Sequence, residues 1–249
     1  MSEKRRGIQS VEIGGRLLGA LMRRAQPMML KDLAADADLA PAQAHAYLAS
    51  LKRVGFVEQN PETGRYLMGP FAVRLAMARL RTIPAYREVI GAATRLGTEL
   101  GLMVTVTVSG PQGATVIHRH DGVETLNVNI RMGTVYAPEG TATGRVFGAF
   151  AGDGQAANDV HRCGYAAVSD EPVPGVSAVA APVRDAAGTL FAVLTLVASG
   201  ARLALDDEAG RAARGRLLEI CAEAEAALQS DAVAGGRDEV QSSSRRRRS

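Results

Sequence analysis

The chain has 249 residues, 47% of them apolar, 22% charged and none of them tryptophan; this predicts one large domain or two small ones with enough apolar material for real cores, and excludes a disordered chain. No run of about 18 uncharged apolar residues occurs and Met1–Arg6 is polar, so the expectation is a soluble, cytoplasmic protein with no membrane partner, while two cysteines, Cys163 and Cys221, without a CxxC pair argue against a disulfide scaffold or a zinc finger. The net charge of +3 is a cancellation: residues 1–80 carry 12 Lys/Arg against 7 Asp/Glu (net +5), residues 81–235 carry 12 against 17 (net −5), and residues 236–249 carry 5 against 2 (net +3), which suits a basic head to a polyanion and leaves the acidic body another task.

The head reads as three helices and a hairpin. Ser10 is placed to cap a first helix, along which Val11, Leu17, Leu18, Leu21 and Met22 recur at helical spacing until Gln26-Pro27. A second helix covers about Leu30 to Ala37, and Asp38-Leu39-Ala40-Pro41 turns into a third that runs to about Val54. Its buried stripe is Ala44, Leu48 and Leu51, and Gly55 stops it. Phe56-Val57-Glu58 and Arg65-Tyr66-Leu67 are short strands around the turn-rich Asn60 to Gly64. Two helices joined by a tight turn and followed by a hairpin form a winged helix-turn-helix, over residues 7–69, whose third helix enters the DNA major groove. On its outer face Gln43, His45 and Ser50 are candidates for base or backbone contact, whereas Lys31, Lys52, Arg53 and Arg65 are candidate phosphate contacts.

Residues 70–84 read as a linker helix with one sticky face, Phe71, Val73, Leu75 and Leu80. Because helix-turn-helix proteins commonly dimerise to match two half-sites, this face is the expected dimer contact. The body, residues 85–230, alternates between helix and strand. A helix over about Ala85 to Gly101 precedes strands at Met103–Val108, Thr115–His120 and Thr125–Arg131. A helix over Ala142–Ala151 follows, then strands at Ser177–Pro182 and Leu190–Ala198, and a last amphipathic helix from about Asp206 to Leu228. Antiparallel strands with flanking helices make this an α+β domain. Residues 231–249 lack apolar periodicity, end in Ser-Ser-Ser-Arg-Arg-Arg-Arg-Ser and read as a disordered basic tail.

The order of these features resembles the isocitrate lyase regulator (IclR) family of bacterial transcription factors. The resemblance is carried by Gln9-Ser10-Val11-Glu12, Leu30-Lys31-Asp32-Leu33-Ala34, the wing Asn60 to Pro70, Cys163-Gly164-Tyr165-Ala166 with Glu171, Pro174-Gly175-Val176 and Ala180-Ala181-Pro182-Val183. It spans roughly Gly7 to Leu228. It implies a GAF-like C-terminal domain that binds a small organic acid, often an aromatic or short-chain carboxylate from a catabolic pathway, and a homodimer or homotetramer on a palindromic operator of double-stranded DNA. By motif match it places the effector site on Tyr136, Glu139, Thr141, Ala142 and Thr143, on Asp170, on Ala178, and on Thr195 and Val197. Small residues at the start of the Ala142 helix leave backbone N–H groups free for a carboxylate. The chain departs from the family at Ala42, Gln43 and Ala46, where Ser/Thr and Arg are common, at Ala178, where a cysteine is common, and in the short link of residues 152–162.

Two competing readings stand beside this one. His118 and His120 lie two apart on a strand and share a face, the geometry of a metal pair, which would suit a metal-binding or enzymatic sensor. The alanines of the recognition helix would suit an effector-binding module with weak sequence-specific DNA binding. No Ser-His-Asp set, paired carboxylates or phosphate loop is visible, so the expectation is no catalytic residue, no metal and no cofactor.

Overall fold

The computed structural model describes residues 7–110, 113–123, 128, 130–136, 140–152, 160–200, 202–204 and 207–246, with Tyr136 and residues 231–246 described as backbone only. The chain divides into two compact units, with the boundary between Thr82 and Ile83.

In the first unit α1 (Gln9–Arg24), α2 (Leu30–Asp36) and α3 (Pro41–Arg53) are followed by the antiparallel pair β1 (Val57–Gln59) and β2 (Tyr66–Met68) and by α4 (Pro70–Thr82). The apolar stripes of the three helices converge on Leu17, Leu21, Leu33, Ala44 and Leu48, closed by Val57 and Tyr66 from the hairpin. Met28 exchanges both backbone hydrogen bonds with Tyr66, at 2.9 and 2.7 Å, which ties the turn after α1 to the wing. The hairpin returns so closely that a Cβ at Gly69 would lie 2.3 Å from the Gly55 carbonyl oxygen; only glycine fits there. Two details differ from the sequence reading. The N-cap of α1 is Ile8, with no side-chain cap, and Ser10 lies inside the helix. Val11 and Met22 face solvent, because Ile13, Leu17, Ala20 and Leu21 set the stripe. In α4 no residue is buried within the chain, and Val73 and Met77 are at least half exposed.

The second unit comprises α5 (Pro84–Leu100), β3 (Met103–Gly110), β4 (Gly113–His120), β5 (Val135–Tyr136), α6 (Ala142–Ala151), β6 (Ala166–Ser169), β7 (Val176–Arg184), β8 (Leu190–Ser199) and a terminal helix, α7 (Glu208–Arg246). The strands form one sheet in the order β5-β4-β3-β8-β7-β6, antiparallel at every pairing. Helices α5 and α7 pack together on one face and α6 covers the other. Alternation along the central strands explains both faces: Val104, Val106, Leu194 and Leu196 point toward α5 and α7, whereas Thr105, Val193, Thr195 and Val197 point toward α6. Helix α5 approaches β4 so tightly that a Cβ at Gly97 would lie 2.1 Å from the His120 ring.

The expected strand at Thr125–Arg131 is not formed by its described residues. Val128, Ile130 and Arg131 are irregular, and β4 instead pairs with Val135–Tyr136, Ala114 opposite Tyr136. Conversely β6, four residues beside the Gly164-Tyr165 motif, was too short to register as a strand pattern. The tail expected from Asp231 carries helical backbone. The α7 backbone continues as helix to Arg246, past the Leu228 end of the apolar stripe, because periodicity reports burial rather than helicity. No helix among the described residues is long and apolar enough to cross a membrane.

Candidate functional site

The second unit holds a cavity of about 240 Å³ between the sheet and the start of α6. Its floor is built by strand alternation: Ala178 stands opposite Val197 and Val168 in the sheet, and Thr195 lies two residues before Val197 on the same face. One pole is polar. Thr141 caps α6, its hydroxyl accepting from the Gly144 amide at 2.9 Å, so the remaining first-turn amides have no intrahelical acceptor where Ala142 and Thr143 line the cavity. Thr143 and Thr195, each 2% exposed, join hydroxyl to hydroxyl at 2.8 Å. The other walls are apolar: Val128 and Ile130 on one side, Pro172, Val173 and Val176 on the other. Among the described residues Glu171 is the single ionisable one on the lining, and its carboxylate lies 3.5 Å from Arg145. The Arg145 guanidinium also donates to the Ala167 carbonyl at 3.2 Å. An apolar slot ended by helix amides and hydroxyls is chemically suited to an organic acid with a hydrophobic body.

Of the residues the sequence reading assigned to this site, Thr141, Ala142, Thr143, Ala178, Thr195 and Val197 are brought together on the lining. Asp170 is not. It adopts φ +60°, and its carboxylate accepts from the Gly175 amide at 2.8 Å, closing the loop that presents Glu171, Pro172 and Val173. Glu139 and the side chain of Tyr136 lie outside the described residues. Sequence reasoning missed the apolar walls, Val128, Ile130, Val168, Pro172, Val173 and Val176. The available signal was the loop before Pro174-Gly175-Val176; the contribution of Val128 and Ile130 is not signalled, because it depends on an irregular segment folding over the sheet.

His118 and His120 share a face, as expected, but that face is the one under α5. His118 Nε2 lies 3.2 Å from the Thr94 hydroxyl and His120 packs on Gly97. Burial, reinforced by the charge of His120, holds the His118 pKa below its ordinary value. No group of three or more His, Cys, Asp or Glu side chains able to hold a metal occurs among the described residues. Burial also pushes the Cys221 thiol pKa upward, as befits a packed core thiol.

In the first unit α3 buries Ala44 and Leu48, and its exposed side carries Gln43, His45, Ser50, Lys52 and Arg53. Lys31 is exposed in the first turn of α2. Two of the expected phosphate contacts are already held by the protein. Lys52 Nζ donates to Gln59 Oε1 at 2.9 Å, and Gln59 in turn donates to the Gly64 carbonyl, so Lys52 is braced against the wing. Arg65 donates to the Pro27 carbonyl at 3.2 Å. Ser50 turns back on the Ala46 carbonyl at 3.4 Å. The sequence reading overlooked Arg23 and Arg24 at the end of α1, which share a surface cleft of about 580 Å³ with Arg65. Both are engaged with Asp36, Arg24 through its carboxylate at 2.7 Å and Arg23 through its backbone carbonyl at 3.1 Å.

Comparison with known proteins gives matches in both units. Residues 10–61 match the IclR helix-turn-helix domain, and residues 155–224 match the bacterial transcriptional regulator IclR C-terminal domain. The chain is 27% identical over 204 residues to the glycerol operon regulatory protein of Streptomyces coelicolor, covering 72% of this chain and 80% of that one. It is 30% identical to Pseudomonas aeruginosa HmgR, whose crystal structure aligns over 89% of this chain and 98% of that one with a TM-score of 0.51. The crystal structure of an IclR homolog from Microbacterium hydrocarbonoxydans complexed with 4-hydroxybenzoate shares the fold, with a TM-score of 0.70 at 17% identity over 88% of this chain and 98% of that one.

Proposed function

Since the chain belongs to the IclR family of transcriptional regulators, and is a regulator rather than an enzyme, we propose that it senses a small organic acid, aromatic or short-chain, in the cavity beside α6 and changes the occupancy of an operator bound by α3. The observation that carries this reading is the lining itself: apolar walls that end on the first-turn amides of α6 and the Thr143–Thr195 pair. The carboxylate sits at that pole, where helix dipole and hydroxyls meet a negative charge, and the body of the acid lies along Val168, Ala178 and Val197. The complex of a structural neighbour with 4-hydroxybenzoate supports an aromatic acid as the first probe, and the relative that regulates a glycerol operon supports a catabolic target.

On this reading Gln43 and His45 read base edges, while Lys31, Lys52, Arg53 and Arg65 hold phosphates. The unburied apolar face of α4 is the dimer contact that matches two half-sites of a palindrome, as a homodimer or a homotetramer. Effector and operator are coupled because the acid favours one arrangement of that assembly. Titration calorimetry with benzoate and short-chain carboxylates, paired with mobility shift on the promoter beside the gene, tests it. Saturable binding that shifts the operator complex is expected; absence of any salt-sensitive, sequence-dependent complex overturns it.

A further inference from the structure

The cleft at the end of α1 holds positive charge that the first unit does not cancel. Arg23, Arg24 and Arg65 line it together with Asp32 and Asp36, but the three guanidiniums are held in different ways. Arg24 grips the Asp36 carboxylate with two arms of its fork, Nε to Oδ2 at 2.7 Å and Nη2 to Oδ1 at 3.1 Å, and it also feels the charge of Asp32. Its charge is spent inside the unit. Among the described residues Arg23 and Arg65 bond only to neutral oxygens: Arg23 donates to the Asp36 carbonyl at 3.1 Å and Arg65 to the Pro27 carbonyl at 3.2 Å. Neither forms an ion pair with a described carboxylate. Each is therefore aimed by one hydrogen bond while it keeps its full charge and its remaining donors, the arrangement that suits a phosphate. The cleft is also continuous with the wing. Arg65 directly precedes β2, and Met28, another lining residue, exchanges backbone hydrogen bonds with Tyr66 of that strand. A DNA strand fits these features, because it offers phosphates in series to two separate cations on a head of net charge +5.

Resting on the DNA-binding reading above, we propose that this cleft is a phosphate site of the DNA interface away from the recognition helix: Arg23 and Arg65 take neighbouring phosphates of one strand, and Asp36 withholds Arg24 from it. The contact adds affinity and register but no sequence information. Asp36 thereby limits the cleft to two phosphate contacts where three arginines are present.

The test is fluorescence anisotropy of the full chain on a labelled duplex of random sequence across a salt series, where each phosphate contact contributes about 0.9 to the slope of log affinity against log salt. Expected is a slope shallower by about one in Arg23→Gln, and steeper by about one with tighter binding in Asp36→Asn, which releases Arg24. Asp36→Asn/Arg24→Gln should return to the slope of the unaltered protein. Arg211→Gln removes an exposed arginine of the second unit and should leave the slope unchanged. The gain in Asp36→Asn cannot come from a folding defect, so it stands even if Arg23→Gln folds poorly. If the duplex binds but Arg23→Gln keeps the slope, if Arg211→Gln lowers it equally, or if Asp36→Asn fails to raise it, the proposal on this cleft is overturned and the assignment of α3 survives. If the unaltered protein shows no salt-dependent binding to any duplex, the DNA-binding reading fails and this proposal fails with it.

Discussion

The Thr143–Thr195 pair gives the sharpest test of how the polar pole is built. Both side chains are 2% exposed and their hydroxyl oxygens are 2.8 Å apart, so each is the other's partner in a region water does not reach freely. Thr195→Val preserves shape and removes one hydroxyl, leaving Thr143 buried without its partner. The cost of such an orphan is about 1–3 kcal/mol, whereas replacing both partners by apolar groups of the same shape is nearly neutral. Each single valine variant should therefore lower the midpoint of the unit that contains the pair by roughly 2–12 °C, at about 2–4 °C per kcal/mol for a domain of this size. Thr143→Val/Thr195→Val should recover most of that loss. Differential scanning calorimetry of the full chain without added acid measures all four proteins, and the cycle isolates the pair as a coupling of about 1–3 kcal/mol. Single effects that simply add in the double variant would refute the pairing and, with it, the description of this pole as a preorganised hydroxyl cluster.

Gly97→Ala drives a methyl group into the His120 ring and should destabilise the second unit by about 1–3 kcal/mol, with Gly97→Ala/His120→Ala recovering part of it; thermal melts of the three variants decide. The depressed pKa of His118, caused by burial and then by His120, means that the unfolded chain takes up a proton near pH 6.5 before the folded one does. Its contribution to stability is present above that pH and is lost as pH falls through the lower folded pKa, so melts between pH 7.5 and 5 should be less pH-dependent in His118→Gln. On the DNA side, Gln43→Ala should erode discrimination between operator and random duplex. Lys52→Ala should weaken both alike and flatten the salt slope by about one unit, as measured by fluorescence anisotropy; equal loss of discrimination in both variants would mean that the outer face of α3 is wrongly assigned.

What the sequence disclosed and what it withheld follow from the range of the interactions involved. The helices of the first unit were legible because their stripes are local: Leu17 with Leu21, and Ala44 with Leu48, recur at helical spacing whatever packs on them. The strands β3, β7 and β8 were legible for the same reason, as β-branched runs between turns. Thr141, Thr143, Thr195 and Val197 came from family motifs rather than from periodicity, and the physical link between Thr143 and Thr195, 52 residues apart, exists only once α6 lies over β8. The state of the basic side chains was equally hidden. Nothing in the spacing of Lys52 and Gln59 announces that the wing braces that lysine, and the engagement of Arg23 and Arg24 with Asp36 needs α1 and α2 to meet.

The absence of a cation from the described lining bears on how such a sensor works. A guanidinium in an apolar cavity of about 240 Å³ would itself need an acidic partner when the cavity is unfilled, and an incoming carboxylate would have to displace that partner. Hydroxyls and helix amides avoid the exchange, because they meet an anion as dipoles and carry no net charge when alone. Among the described lining residues the Glu171 carboxylate, with Arg145 at 3.5 Å, is the one group that would repel an entering anion, and the ion pair reduces that repulsion. Opening that ion pair by Arg145→Gln should therefore weaken binding of benzoate to the proposed site; calorimetry that found the affinity unchanged would refute the role assigned to Arg145.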